Sequence, residues 1–386
     1  MKVTILGGGL MGYAILHDLL NNYGAFEEIA VVEKNAERIE YLWKHFPNQD
    51  NLSFIQLDIT DSEKLQETLL GTEVIISAVP YQYNLKLLEL ALTIGAHFID
   101  LGGNETILNK QLALDEKAAR LGVIIIPACG LAPGLVSLLA MDGIQKLDRV
   151  EWVKMYCGGL PQQPRPPLDY QIVFSPHGLI NEYLEPVKVI EEGEIVEKPA
   201  LAERETVQFM KPYERMEAFL TSGGTGTLIY TLQGRVKYLF YKTIRYPGHA
   251  EKFKFLFDLG FKSDEPLSFE SGEVSPRQML EKLLEKNLAF RDPDVVLTRV
   301  IVSGEASHKP RTLIYEVIDV MDERLNLTAM MRTTGFTAAV VAQMIHEGKI
   351  QRKGVVPLEE AVTPGEFFQR LHRRGIAINQ KANRER

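Results

Sequence analysis

Met1-Lys2-Val3-Thr4-Ile5-Leu6-Gly7-Gly8-Gly9-Leu10-Met11-Gly12 opens the chain and decides its architecture. Residues 3–6 are an apolar run that reads as a buried strand, and residues 13–20 carry helical periodicity. Between them stands Gly-x-Gly-x-x-Gly. In such a strand, turn and helix, Gly7 permits the tight turn and Gly9 lets a pyrophosphate approach the backbone. Gly12 lets helix and strand pack closely. The helix N-terminus, with Leu10 and Met11 in its first turn, presents unpaired N–H groups and a positive dipole end to the phosphates.

A glycine fingerprint alone is weak, so the next strand decides. Residues 29–32 are apolar and end in Glu33, about 20 residues past the last glycine, where an acid accepts hydrogen bonds from the adenosine ribose hydroxyls. The same carboxylate repels a 2′-phosphate, which favours NAD over NADP. Lys34 and Arg38 offer the opposite outcome if the glutamate turns away.

The remaining organisation follows from length and pattern. With 386 residues, two domains are expected; 45% hydrophobic and 24% charged residues are ordinary for a soluble globular protein. A net charge of −8 argues against nucleic acid as partner, and the basic stretch from Arg370 onward reads as a solvated tail. Two cysteines, Cys129 and Cys157, without CxxC or HxxxH spacing predict no metal site and reduced thiols. Residues 121–141 lack charge over a membrane-spanning length. Pro127, Gly130, Pro133 and Gly134 interrupt them, so a strand, a loop and a helix from Leu135 are expected, in a cytoplasmic protein with no membrane partner.

Further strands are expected at residues 54–57, 74–78, 97–100 and 123–126, with helices at 36–46, 84–94 and 112–121 between them and a capping box at 60–63. This βα alternation predicts a doubly wound parallel sheet of Rossmann type over residues 1–132. Its strand C-termini place Asp58, Ala78, Val79, Pro80, Asp100 and Leu101 among the cofactor-binding candidates. Over residues 133–332 the pattern changes to strands near 150–156, 235–244, 295–303, 312–321 and 325–332, the last two joined by a turn at 322–324. A second α+β domain on a mainly antiparallel sheet is expected there, serving substrate binding and dimerisation. Residues 333–386 are expected to pack back on the first domain.

Several groups can carry chemistry. Arg245, at a strand end, can fork onto a carboxylate or form a surface salt bridge; Gly248 beside it can allow close approach. His249 can be a general base or a satisfied structural histidine. Tyr81 can hydrogen-bond or stack against the nicotinamide, and Asp100 can hold a cationic amine; loop capping is the alternative for each. Residues 221–227 mix glycines and hydroxyls, as an anion-binding nest or a flexible turn would.

Taken together, Gly130-Leu131-Ala132-Pro133-Gly134, Cys157-Gly158-Gly159-Leu160-Pro161, Pro167-Leu168-Asp169-Tyr170 with Phe174 and Ser175, and Thr243-Ile244-Arg245-Tyr246-Pro247-Gly248 resemble the saccharopine dehydrogenase family over nearly the whole chain. The segments at residues 100–103, 222–225 and 246–252 are most similar to its lysine 6-dehydrogenases. The resemblance implies a substrate pocket including Cys157, Gly158, Asp169, Tyr170, Phe174 and Arg245, and dimers or larger homo-oligomers. Two departures matter: Ala132 replaces an aspartate of the saccharopine-forming reductases, and Gly102-Gly103 replaces their Ser-Tyr. Both remove polar groups a bulky secondary amine would use. The expected activity is therefore NAD-dependent oxidative deamination of the ε-amine of L-lysine to 2-aminoadipate 6-semialdehyde, which cyclises, plus ammonia. In that scheme Arg245 clamps the α-carboxylate, Asp169 pairs with the α-ammonium and His249 is the base. A saccharopine- or carboxynorspermidine-type dehydrogenase is the alternative, and a non-catalytic NAD sensor is another of a different class.

Overall fold

A computed structural model describes residues 2–173, 175–270 and 272–383. The chain forms two compact units: Met1–Asp142 with Gly226–Thr231 and Met331–Ile378, and Gly143–Thr225 with Leu232–Met330 and Asn379–Arg386. The change of unit near residue 142, rather than 132, places the glycine-proline loop and most of the helix Leu135–Ile144 with the first unit.

The first unit is a seven-stranded parallel sheet. Its strands are β1 (Lys2–Leu6), β2 (Glu28–Glu33), β3 (Leu52–Gln56), β4 (Val74–Ser77), β5 (His97–Asp100), β6 (Ile124–Ile126) and a final short strand Gly354–Val355. The order is β3-β2-β1-β4-β5-β6 followed by Gly354–Val355. Because helices connect its strands, these read as unbroken apolar runs rather than alternating ones; Val3, Ile5, Ile75, Ile76, Ile99 and Ile125 are fully buried. Leu6 pairs with Val32 on one side and Ser77 on the other, so β1 and β4 end side by side where the strand order reverses. That reversal is where this topology binds ligands.

Three sequence expectations are corrected by these elements. The helix expected over 112–121 is two helices, Glu105–Leu112 and Asp115–Arg120, and Asp61 rather than Thr60 caps the helix Ser62–Leu69. The stretch from Arg370 is not a solvated tail: it completes the helix Pro364–Arg373 and the strand Asn379–Asn383. Arg374 forks onto fully buried Asp18 through Nε (2.6 Å) and Nη2 (2.8 Å), and Gln343 bonds both partners. Its charge is thus spent on the fold.

The second unit is built on a nine-stranded mixed sheet. The order along it is Glu205–Val207, Met216–Leu220, Tyr238–Arg245, Arg149–Pro161, Asp294–Ala306, Lys309–Val320 and Asn379–Asn383, and the hairpin Val187–Glu191/Glu194–Lys198 joins at Tyr238–Arg245. Only the pairing of Tyr238–Arg245 with Arg149–Pro161 is parallel. The long hairpin turns at Ser307-His308, both at positive φ, not at 322–324. Residues 325–332 are not a strand. The buried carboxylate of Asp294 accepts the N–H groups of Ala329 (2.6 Å) and Met330 (3.0 Å) and so starts the helix Ala329–His346 there. Helices Pro176–Leu184, His249–Leu256 and Pro276–Leu288 share one apolar cluster with Tyr170, Tyr183 and Phe253.

Candidate active site

In the first unit the fingerprint has the geometry a dinucleotide needs. Gly7 has φ +96°, and a Cβ there would lie 2.9 Å from the Ala78 carbonyl and from Val79, so the loops after β1 and β4 abut. A Cβ on Gly12 would lie 1.9 Å from the Gly7 carbonyl, which fixes glycine at the helix–turn contact. A Cβ on Gly9 would meet nothing within 4 Å. The backbone at Gly9 therefore faces open space, and Gly9 caps the helix Leu10–Asn22 without a side chain. The N–H groups of Leu10, Met11 and Gly12 belong to its first turn, where no i−4 carbonyl serves them; the first helical bond is Tyr13 N–H to the Gly9 carbonyl. These residues can hold a pyrophosphate.

Glu33 does not turn away. Its Oε2 accepts the Gly8 N–H at 2.8 Å and its Oε1 accepts the Asn35 N–H at 2.9 Å. Arg38 is engaged as well, donating to the carbonyls of Gly8 (2.5 Å) and Gly9 (3.2 Å). The carboxylate thus stands at the glycine turn as a fixed acceptor. Asp58 is exposed at the end of β3, where the N–H and hydroxyl of Thr60 hold its carboxyl below the usual range.

Among the other loops, Pro80 opens a short turn, Tyr81–Tyr83, and the Tyr81 ring packs on Gly103. Leu101 is half-buried, with its carbonyl against Gly130. Asp100 departs from expectation. It is fully buried, and its carboxyl accepts from Gly102 N–H (2.7 Å), Ala128 N–H (3.2 Å) and Gln111 Nε2 (2.7 Å). Burial pushes its pKa up against those three donors. With its acceptor positions spent on tying the loops after β5 and β6 together, Asp100 is a structural clamp and not an amine-binding group.

In the second unit, Arg245, Tyr170, Tyr183 and His249 form one buried cluster. The Arg245 guanidinium lies 4.7 Å over the Tyr170 ring, while Nε donates to the Tyr183 hydroxyl (2.9 Å) and Nη1 to the Ile244 carbonyl (2.9 Å). Among the described residues it forms no salt bridge, and Nη2 donates to no protein acceptor. A guanidinium only 3% exposed with no salt bridge among the described residues is costly, so the arrangement is suited to receiving an anion. Gly248 serves through its φ of +88° rather than through crowding, since a Cβ there would meet nothing.

His249 is not placed to act as a base. Its Nδ1–H donates to the Leu168 carbonyl (3.0 Å) and its Nε2 accepts the Tyr183 hydroxyl (3.1 Å). Burial, and then the Arg245 charge, push its pKa down to about 3. It is a neutral ring that orients Tyr183, which in turn holds Arg245. Asp169 is likewise engaged, its Oδ2 accepting from the Lys252 ammonium at 2.9 Å. Cys157 is buried against Thr298 (3.3 Å), with a thiol pushed up to about 12 by burial. Gly158 is required because a Cβ would lie 2.3 Å from the Ile244 carbonyl of the neighbouring strand. Phe174 lies outside the described residues. Three of the four hydroxyls in residues 221–227 are spent internally, Thr221 on Thr243, Ser222 on Glu185 and Thr227 on Glu359.

Two residues of this cluster were missed by the sequence reading: Tyr183 and Glu182, at the end of the helix Pro176–Leu184. Glu182 is half-buried, and its carboxyl makes no hydrogen bond or salt bridge among the described residues. Burial raises its pKa to about 7, with the Arg245 charge opposing and Glu185 adding. Among the described residues no group of three or more His, Cys, Asp or Glu can hold a metal. No described helix is long and apolar enough to cross a membrane.

Comparison with known proteins agrees with these features. Residues 130–376 match the model of the saccharopine dehydrogenase C-terminal domain, and residues 3–126 that of the saccharopine dehydrogenase NADP binding domain. The chain belongs to the saccharopine dehydrogenase family. Among curated relatives, the saccharopine dehydrogenase (NADP(+), L-glutamate-forming) of Schizosaccharomyces pombe is 24% identical over 71% of this chain and 61% of its own. The chain thus spans less than two thirds of that relative. The carboxyaminopropylagmatine dehydrogenase of Synechocystis sp. is 21% identical over 99% of this chain and 98% of its own. The apo saccharopine dehydrogenase (L-Glu forming) from Saccharomyces cerevisiae has the same fold, with a TM-score of 0.80 at 18% identity and 99% of each chain covered.

Proposed function

We propose that this member of the family is an NAD-dependent dehydrogenase that oxidatively deaminates the ε-amine of L-lysine. The observation that carries the reading is Arg245: a buried guanidinium that forms no salt bridge among the described residues, and whose Nη2 donates to no acceptor among them, is suited to receive a small carboxylate. Its fork matches a carboxylate in two-point geometry, which a lysine ammonium does not reproduce. Tyr183 and His249 keep it in place, and Tyr170 supports its face. Anchoring the α-carboxylate fixes which end of lysine is presented for oxidation, and positioning of this kind supplies much of a rate enhancement. When bound, the nicotinamide cofactor supplies the hydride acceptor.

Gly7, Gly9, Gly12 and the first-turn N–H groups would hold its pyrophosphate. Glu33, already fixed on Gly8, would accept from the adenosine ribose and disfavour a 2′-phosphate. This supports NAD, although the matching family model and the Schizosaccharomyces pombe relative are named for NADP. Loss of the Glu33 carboxylate in Glu33→Gln should narrow the preference for NAD over NADP, as read from kcat/KM with each cofactor. An unchanged ratio would remove Glu33 from cofactor choice.

The clamp is tested by Arg245→Lys, which keeps the charge and loses the fork. KM for lysine should rise by about 10- to 100-fold while NAD affinity holds. An unchanged KM would overturn the carboxylate clamp. A second reading, a dehydrogenase of a carboxylated secondary amine, is favoured by the end-to-end match to the carboxyaminopropylagmatine dehydrogenase. The same Arg245 would serve it, so substrate comparison distinguishes the two.

A further inference from the structure

An α-amino acid presents two opposite charges side by side, and Arg245 answers only one of them. The residue expected to answer the other, Asp169, is occupied by Lys252. Another acid stands at this cluster: Glu182 directly precedes Tyr183 in the helix Pro176–Leu184, and the Tyr183 hydroxyl accepts the Arg245 Nε at 2.9 Å. The Arg245 charge opposes the rise that burial gives the Glu182 pKa. The neighbouring acid in the same segment, Glu185, accepts the Ser222 hydroxyl at 3.2 Å. Among the described residues the Glu182 carboxyl accepts no hydrogen bond, while its backbone carbonyl is fixed by the Ser222 N–H at 3.1 Å. Among the described residues, a half-buried carboxylate with no hydrogen bond and a buried guanidinium with no salt bridge in one cluster are an unusual pair to leave unneutralised. Drawn together they would form a salt bridge; held apart, each is left free for a ligand.

The geometry points to Glu182 as the specificity-determining partner of Arg245: its carboxylate receives the α-ammonium of the substrate while Arg245 receives the α-carboxylate. Resting on the function proposed above, this makes the site a zwitterion receptor and selects α-amino acids over simple ω-amino acids and polyamines. Burial supports it from the opposite direction. A carboxyl raised to about 7 in the free protein gains most from an arriving cation, because the ligand restores the ionised form. Among the described residues, the charges that bear on Glu182 are those of Arg245 and Glu185, and its own charge bears on Cys157, Tyr170, Tyr183 and Tyr241. The phenols and the thiol are raised by burial and stay neutral near pH 7, so Glu182 is the group that changes charge there. KM for lysine should therefore rise as pH falls below about 7.

The test compares L-lysine with 6-aminohexanoate, which is lysine without its α-ammonium, in the wild-type protein and in Glu182→Gln. Removing a charge-assisted partner should raise KM for lysine by about 10- to 100-fold. KM for 6-aminohexanoate and kcat for both substrates should stay within about twofold, and Glu182→Asp should recover part of the lysine KM. An unchanged lysine KM overturns the inference. So does an equal rise for both substrates, which indicates a structural role, or an equal fall in kcat, which indicates proton transfer. If wild-type protein oxidises lysine but the variant departs from the expected pattern, this inference alone fails. If wild-type protein oxidises no amine, the function proposed above fails with it.

Discussion

Arg245, His249 and Asp100 look alike in the sequence, as polar residues near strand ends, and burial gives them different work. Arg245 retains unsatisfied donors. His249 has both ring nitrogens, and Asp100 both carboxyl oxygens, engaged by their own chain. It follows that Asp100→Ala should act on stability rather than on chemistry. It would strand the N–H groups of Gly102 and Ala128 and the Gln111 amide, at a cost of about 3 kcal/mol or more. Urea unfolding measures this, and a loss below about 0.5 kcal/mol would contradict the clamp. The sequence alone could not separate these three, because hydrogen-bond partners such as Leu168 and Gln111 come from distant loops. Glu182 and Tyr183 gave less signal still: they sit in a short helix whose local pattern shows nothing of the strand end bearing Arg245.

At the scale of elements, the βα alternation was legible because buried parallel strands are continuous apolar runs bounded by turns. β5 and the helix Asn84–Ile94 lie where the pattern puts them. The mixed sheet was harder to read. Residues 325–332 alternate like a strand, yet the Asp294 carboxylate caps a helix there and Asn326 turns the chain at φ +52°. No local pattern reveals a cap supplied by residue 294. The fingerprint itself makes a separable prediction. Gly9→Ala adds a Cβ into open space, so unfolding stability should stay within about 1 kcal/mol while NAD affinity falls at least about tenfold. Gly12→Ala drives a Cβ into the Gly7 carbonyl and should lower both. Equal NAD binding by wild type and Gly9→Ala would show that the open face at Gly9 does not receive the pyrophosphate.

For the whole molecule, burial of neutral histidines sets a response to acid. His249 and His97 are held at about 3 and about 4 by burial, below the usual 6.5. As pH falls below 6.5 the unfolded chain takes up protons that these folded-state rings refuse. Each ring therefore costs stability at about 1.4 kcal/mol per pH unit until its folded pKa is reached. Carboxyls raised by burial, Asp294 to about 6 and Glu182 to about 7, act with the opposite sign over the same range. The clean comparison is therefore wild type against His249→Asn between pH 6 and pH 4, where the variant should lose the slope due to one ring. Parallel pH profiles would mean that His249 is protonated in the fold.

Family membership narrows the chemistry without choosing the substrate, since curated relatives are named for saccharopine and for carboxyaminopropylagmatine. The central claim is a primary amine on an amino acid whose carboxylate is held by Arg245. Its most direct test is NADH formation by the purified chain with L-lysine and with saccharopine, side by side, with released ammonia measured in the same samples. The account predicts NADH and ammonia in equal amounts from lysine and little of either from saccharopine. Turnover of saccharopine without turnover of lysine would contradict it.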